Sequence, residues 1–356
     1  MDRFKTLSRN DPEFTSFLDG SFSSDVVALP VRSLNVGTSS EQVTFEIVPT
    51  RSVTKPAAGR IAWQMIRPSS LVFSIGPMVT TLFFCAAHGF EVDRFIGVTA
   101  FLGVILFQIA MNLFNDYGDH MKGQDRLRPK GGSRAIQKGW IRAVTVKRLA
   151  WLALFFAALL GLPAVLFSLS RAAIIAVIAL FVAIEFAFQR LRLKYRGWAE
   201  VFAWLLTGPL LFVGYSWAVA DHATLSEVLL GGIFGSIALM YYHSANFENI
   251  MVDEQAGART WATRAGFDAS KKFFYFTAGL TLAFTSAYFV FVESEWIFVS
   301  ALLAQAMFLI PVCLRVKNLA SPLSSQLTGL RLEAVRLCAL TTLALSGTFV
   351  YILVSR

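Results

Sequence analysis

Of 356 residues, 55% are hydrophobic, 33 are phenylalanine and only 15% are charged, which argues against a soluble two-domain enzyme and for a chain that crosses a membrane repeatedly. The formal charge of +9 would suit nucleic acid if it formed a patch, but the Lys and Arg fall in loops between apolar runs, where they report membrane orientation. Cys85, Cys313 and Cys338 lie in or beside apolar runs with no paired spacing, and imply neither a disulfide framework nor a metal site.

Residues 1–60 are polar and rich in Ser and Thr, and the short apolar run VVALPV is interrupted by Pro30, so no secretory core is present. They read as an amino-terminal extension, either disordered or a small docking segment, ahead of a transmembrane domain at 61–356. IAWQMIRP at 61–68 reads as an interfacial lead-in, with Trp63 at headgroup level. Nine apolar segments then approach the ~20 residues that a bilayer requires. They span 69–88, 95–114, 148–168, 172–188, 199–220, 225–246, 273–292, 294–313 and 336–354. The fold class expected is therefore all-α, a polytopic membrane helix bundle. The loops after even-numbered segments, with their edges, carry twenty-one Lys or Arg, against Arg94, Arg171 and Arg356 on the other side. The positive-inside rule places the even loops and the amino terminus in the cytoplasm and removes the need for a nucleic-acid partner.

The loop after the second segment, NLFNDYGDHMKGQDRLRPKGGSRAIQKG at 112–139, is the densest polar stretch of the chain. Most loops of mixed charge are only solvated faces. Here, however, Asn112, Asp116 and Asp119 stand at i, i+4 and i+7, one stripe of a helix at the end of an apolar span. Two carboxylates and an amide on one stripe call for a cation between them, and a hard dication such as Mg²⁺ is the natural candidate. Asp125 is about half a turn out of phase with Asp116 and joins only if the chain leaves the helix, which Gly118 and Gly123 make easy. Lys122, Arg126, Arg128, Lys130, Arg134 and Lys138 follow, suited to phosphate oxygens.

A second cluster follows the sixth segment. In SANFENIMVDEQAGARTWATRAG, residues Asn246, Asn249 and Asp253 stand at i, i+3 and i+7, again at the end of an even-numbered span. Arg259 and Arg264 follow as candidate phosphate contacts. Two such stripes on one side of a membrane can converge and hold two metal ions and a diphosphate.

NLFNDYGDHMKGQD at 112–125, KGGSRAIQKG at 130–139, YRGWAEVFAWLLTGP at 195–209 and NFENIMVDEQAGARTWATRAG at 246–266 resemble the UbiA superfamily of intramembrane prenyltransferases, closest to its MenA-like branch. The resemblance covers about residues 60–356 and implies a Mg²⁺-dependent prenyltransferase acting on a polyprenyl diphosphate and an aromatic acceptor, 1,4-dihydroxy-2-naphthoate, with loss of CO₂, in menaquinone synthesis. It implies metal ligation by Asp116, Asp119, Asn249 and Asp253, with Asp125 accessory, and substrate binding by Asn112, Lys122, Arg134, Glu200, Asn246 and Arg259. The family's second motif has two aspartates four apart; this chain has Asn249 and Asp253, so one ligand is an uncharged amide, and Glu248 beside it points about 100° away on a helix. The setting implied is a bacterial inner membrane, with the site facing the cytoplasm.

Other polar residues have plainer readings. Glu185, within the fourth span, can pair with Arg190 or Arg192. His243 is read as a structural hydrogen-bonder, His120 as solvated, and Lys271 and Lys272 as an interfacial anchor. Rival acceptors are 4-hydroxybenzoate, homogentisate or a porphyrin. A rival class is a transporter or a catalytically lapsed lipid-binding protein; transporters place ionisable groups near mid-membrane, whereas these lie at span ends.

Overall fold

The structure, a computed structural model, describes residues 3–127, 132–167, 174–175, 178–182, 198–255, 257–293 and 296–355. Its opening residues correct the expectation of disorder. Strands β1 (Phe4–Ser8), β2 (Val26–Leu34) and β3 (Gln42–Pro49) form an antiparallel sheet in the order β1-β3-β2. The central strand reads QVTFEIVP, and its alternation buries Val43 and Phe45 completely. Helix α1 (Phe14–Asp19) closes that face with Phe14, Phe17 and Leu18. Pro30 interrupts the apolar run but not the strand, because β2 lies at an edge, where a missing N–H is tolerated, and its register slips between Pro30 and Arg32.

The helices follow: α2 (Ala58–Ile66), α3 (Pro68–Ala87), α4 (Arg94–Met121), α5 (Gln124–Leu127), α6 (Ala143–Phe167), α7 (Ala199–Thr207), α8 (Pro209–Ala220) and α9 (Leu225–Glu248). The chain continues through α10 (Ile250–Gln255), α11 (Trp261–Ala265), α12 (Phe267–Phe291), α13 (Phe298–Lys317) and α14 (Leu330–Ser355). Among the described residues eight segments are long and apolar enough to cross a membrane, α7 and α8 counting as one. Each matches one of the nine expected spans; the remaining one, 172–188, falls largely outside the described residues, as do Glu185, Arg190 and Arg192. Asp93 starts α4 by accepting a hydrogen bond from the Ile96 N–H, and the helix runs 28 residues, about 42 Å at the usual rise, against a hydrocarbon layer of ~30 Å. Its last turns therefore project beyond the apolar layer, carrying the first polar cluster.

Close backbone packing fixes the middle of the bundle. At Gly208, where α7 breaks into α8, an added Cβ would lie 2.5 Å from the Gly231 carbonyl oxygen and 2.6 Å from the Gly235 Cα, so only glycine admits this crossing. A buried polar link ties three helices nearby: Gln305 of α13 accepts from Thr285 of α12 at 2.8 Å and donates to Thr341 of α14 at 3.2 Å.

The turns establish which ends coincide. The rings of Phe90 and His222 stack 3.9 Å apart, and the Asp93 N–H donates to the Val219 carbonyl at 2.8 Å, so the α3–α4 and α8–α9 turns share one end of the bundle. His88 bonds Glu293 there at 3.0 Å, adding the end of α12. Helices α4 and α9 both leave from this end. Both polar clusters therefore lie at the opposite end.

Candidate active site

The first cluster is built on the last two turns of α4. Asp116 and Asp119 are buried, and the Asn115 side chain donates to Asp119 at 3.2 Å. Gly123, at φ +81°, turns the chain out of the helix and into α5, which carries Asp125. Gly132 lies between the two carboxylates. A Cβ there would be 3.1 Å from Asp125 Oδ2 and 3.2 Å from Asp116 Oδ1. Asp125 thus joins Asp116 by the expected departure from the helix at Gly123, while Gly118 stays helical.

A residue not singled out in the sequence completes this group. The Arg67 guanidinium pairs with Asp116 Oδ1. Asp116 Oδ2 remains buried without a hydrogen-bond partner. Asn112 fixes the Arg67 turn from below, its amide donating to the Ile66 carbonyl at 2.8 Å and the Ser70 hydroxyl at 2.9 Å. The only sequence signal for Arg67 was an arginine just before the proline that opens a span.

Of the other cations, Lys122 caps α4 with its ammonium buried, and Arg134 donates to the backbone carbonyl of Asp125. Arg126 turns away, donating to Glu41 just before β3, and burial pulls its guanidinium below the ordinary arginine range against the opposing pull of that carboxylate. Lys138 sits 4.4 Å over the Trp140 ring. Arg128 and Lys130 lie outside the described residues. His120 is buried rather than solvated, because α1 of the amino-terminal segment meets it: Nε2 donates to the Leu18 carbonyl at 2.8 Å, and Nδ1 accepts from the Gln137 amide at 3.2 Å.

At the second cluster, Asn246 donates to Glu200 Oε1 at 2.6 Å, and Glu200 Oε2 is buried without a hydrogen-bond partner. One turn along α7 the indole N–H of Trp204 is buried and likewise unpartnered. Asn249 ends α9, its amide donating to the Ala245 carbonyl at 2.7 Å. Asp253 is fully buried at the start of α10, and Arg259 is exposed on an open cavity of about 430 Å³ that Glu254, Ala258, Thr263 and Arg264 also line. Glu248 serves elsewhere: its Oε1 accepts from the N–H groups of Gly329, at 3.1 Å, and Arg331, at 2.7 Å, capping α14. His243 donates to the Ser270 carbonyl at 2.9 Å, a structural hydrogen bond, and Lys271 donates to the carbonyls of Lys317 and Leu319 at the end of α13.

Among the described residues no three His, Cys, Asp or Glu side chains are gathered closely enough to form a metal cage by themselves. Paired carboxylates at a glycine would nevertheless suit a divalent cation, which can take one or two carboxylates and complete its shell from phosphate oxygens and water. The buried, unpartnered Asp116 Oδ2 and the bare backbone of Gly132 between two carboxylates leave room for such an ion.

A family model described as the UbiA prenyltransferase family matches residues 76–327. A 1,4-dihydroxy-2-naphthoate octaprenyltransferase of Haemophilus influenzae is 30% identical over 220 residues, 57% of this chain and 68% of that one. The Bacillus subtilis protein of the same name is 25% identical over 214 residues, 60% and 68% of the two chains. Among solved structures, a UbiA homolog from Archaeoglobus fulgidus bound to DMAPP and Mg²⁺ superposes with a TM-score of 0.57 at 15% identity, over 80% of this chain and 99% of that one. A digeranylgeranylglyceryl phosphate synthase structure superposes equally well, TM-score 0.57 at 20% identity, over 82% and 98%. At these identities the structural likeness carries the fold alone.

Proposed function

The chain belongs to the UbiA prenyltransferase family, and from that membership we propose that it transfers a polyprenyl group from a polyprenyl diphosphate to an aromatic acceptor. The acceptor is 1,4-dihydroxy-2-naphthoate, CO₂ is lost, and the product enters menaquinone synthesis. The 25–30% identity to naphthoate octaprenyltransferases supports this acceptor over 4-hydroxybenzoate or homogentisate. The enzyme works in the bacterial inner membrane with its site toward the cytoplasm, the side that the loop charges favour.

One observation carries the reading: two buried carboxylates, Asp116 and Asp125, meet at a glycine beside the Arg67 guanidinium, where the apolar helices end. Acid and base so placed suit a magnesium diphosphate whose isoprenoid tail lies among the helices. Asp116, Asp119 and Asp125 would hold Mg²⁺, with Asn249 and Asp253 contributing from the second loop. The ion supplies charge neutralisation to the departing diphosphate. Arg67, Lys122 and Arg134 bind the phosphate oxygens, and their charge is worth most as the allylic C–O bond breaks and its electron pair leaves on diphosphate. The apolar bundle keeps water from the allylic cation.

At the acceptor, Glu200 Oε2 takes a hydrogen bond from a ring hydroxyl and raises electron density on the carbon that forms the new C–C bond. The pair of the breaking C–CO₂⁻ bond returns to the ring, so the step balances without a further base. Asn246 holds Glu200 in place.

The test incubates membranes holding the full chain with 1,4-dihydroxy-2-naphthoate, a polyprenyl diphosphate and Mg²⁺, with and without EDTA. Prenylated naphthoquinol and CO₂ that vanish with EDTA, and with Asp116→Ala or Asp119→Ala, are expected. Product with 4-hydroxybenzoate alone overturns the acceptor. Asn249 in place of aspartate favours a second reading, a protein that binds prenyl lipids without turnover, and binding with no product from any acceptor would establish it.

A further inference from the structure

Helix α5 spans four residues, too few to hold a helical turn unaided, and it follows a glycine at φ +81°. Yet it carries Asp125, whose carboxylate must stay beside Asp116. Two of its restraints lead to the amino-terminal segment, to Glu41 just before β3 and to Leu18 of α1, which both precede the segment matched by the family model. In the first, Glu41, fully buried, accepts from Arg126 at 2.5 Å and from Arg9 at 2.6 Å. The Arg126 side chain is itself only 3% exposed, and its Nε and Nη1 are buried without hydrogen-bond partners, so Glu41 is its anchor. In the second, the Leu18 carbonyl accepts from His120 Nε2, which leaves Nδ1 as the acceptor for one N–H of the Gln137 amide. The same nitrogen donates its other N–H to Asp125 Oδ2 at 3.2 Å.

We propose that the amino-terminal segment, the sheet with α1, is a positioning element of the active site, setting the Asp125 carboxylate through Glu41–Arg126 and through Leu18–His120–Gln137. This rests on the reading of Asp125 as a metal ligand given above. Glu41 touches neither substrate nor metal; it acts through α5. Outer partners of this kind orient a ligand before the ion arrives, and their loss weakens metal binding by roughly 10- to 100-fold.

The test uses the full chain in detergent and its Glu41→Gln variant. Amide exchange across residues 122–127 is followed, Mn²⁺ affinity with inorganic pyrophosphate is read by electron paramagnetic resonance, and kcat is compared with the Mg²⁺ concentration that gives half-maximal rate. The variant is expected to exchange faster at 122–127, to bind Mn²⁺ about tenfold more weakly, and to recover wild-type kcat at saturating Mg²⁺. A merely structural role would lower kcat and leave the metal requirement alone. Should Glu41→Gln fail to fold, Glu41→Gln with Arg126→Gln removes both buried charges and takes its place. Unchanged exchange and unchanged Mn²⁺ affinity overturn the proposal. A wild-type protein that binds no Mn²⁺ overturns the reading of Asp125 as ligand, and amide exchange then still decides whether the amino-terminal segment holds α5.

Discussion

The guanidinium of Arg67 lies against the carboxylate of Asp116, reaching it from a left-handed backbone at φ 55° and ψ 69°. Such a conformation costs a non-glycine residue about 1–2 kcal/mol and is kept where neighbours over-determine it. Here Arg67 closes α2 and opens α3, its own N–H donating to the Trp63 carbonyl, its carbonyl accepting from Ser70, and Asn112 holding the Ile66 carbonyl beside it. The strain buys a cation against a buried acid.

Chemistry and strain at Arg67 separate by substitution. Arg67→Ala and Arg67→Gly both remove the guanidinium, and both should raise the KM for polyprenyl diphosphate by at least about tenfold, a loss of about 1.4 kcal/mol of binding. Glycine relieves the left-handed backbone, so Arg67→Gly should unfold about 1 kcal/mol later than Arg67→Ala. Equal thermal midpoints for the two variants would mean that the turn is not strained.

Gly132 offers a sharper steric test. Its φ is +63°, and a methyl group there would stand 3.1 Å from Asp125 Oδ2 and 3.2 Å from Asp116 Oδ1. Gly132→Ala must move the carboxylates by a few tenths of an ångström and strains a left-handed backbone, and since a 1 Å misplacement costs about a hundredfold, a loss of roughly tenfold in rate is expected. The loss should appear in kcat and in the Mg²⁺ requirement together. Wild-type values of both would remove Gly132 from the site.

Glu248 predicts the opposite pattern, because its carboxylate caps α14 rather than turning to the second cluster. Glu248→Gln exchanges a charged acceptor for a neutral one at a helix start and should cost about 1 kcal/mol of stability. The Mg²⁺ concentration at half-maximal rate should not move. A raised requirement would return Glu248 to the metal.

How far these features could be read in advance follows from their range in the sequence. The apolar spans are local, each declared by its own composition, and each of the eight described ones overlaps an expected segment, although polar turns extend some of them, the second from 114 to Met121 and the last back from 336 to Ser325. Asp116 and Asp119 are local too, being one helical stripe, and Asp125 needs only the turn at Gly123. Arg67 is different. It meets Asp116 across 49 positions, and an arginine before a proline carries no pattern of its own. Glu248 is drawn away from its neighbour Asn249 by N–H groups some eighty positions downstream, which helical geometry within its own segment cannot reveal. The sheet is faint in the sequence because β1 has only five residues, β2 carries a proline, and the core rests on a few alternating residues such as Val43 and Phe45. Missing the sheet also misplaced His120, which is buried by residues about a hundred positions away.

Asn249 is where this chain departs from the two-aspartate pattern, and its surroundings decide what restoring the acid does. It caps α9, and its amide donates to the Ala245 carbonyl at 2.7 Å. An aspartate cannot make that bond, and its charge would face the negative end of the helix, so Asn249→Asp should lose about 1 kcal/mol of stability. The same repulsion turns the carboxylate away from the helix end. If it turns toward Asp253, a second acid meets the ion, and the Mg²⁺ requirement should fall while turnover is retained. Rates measured over a Mg²⁺ series, beside a thermal melt of each protein, check both halves. A variant with no turnover at any Mg²⁺ concentration would show that the amide itself is required, as a donor that no carboxylate can replace.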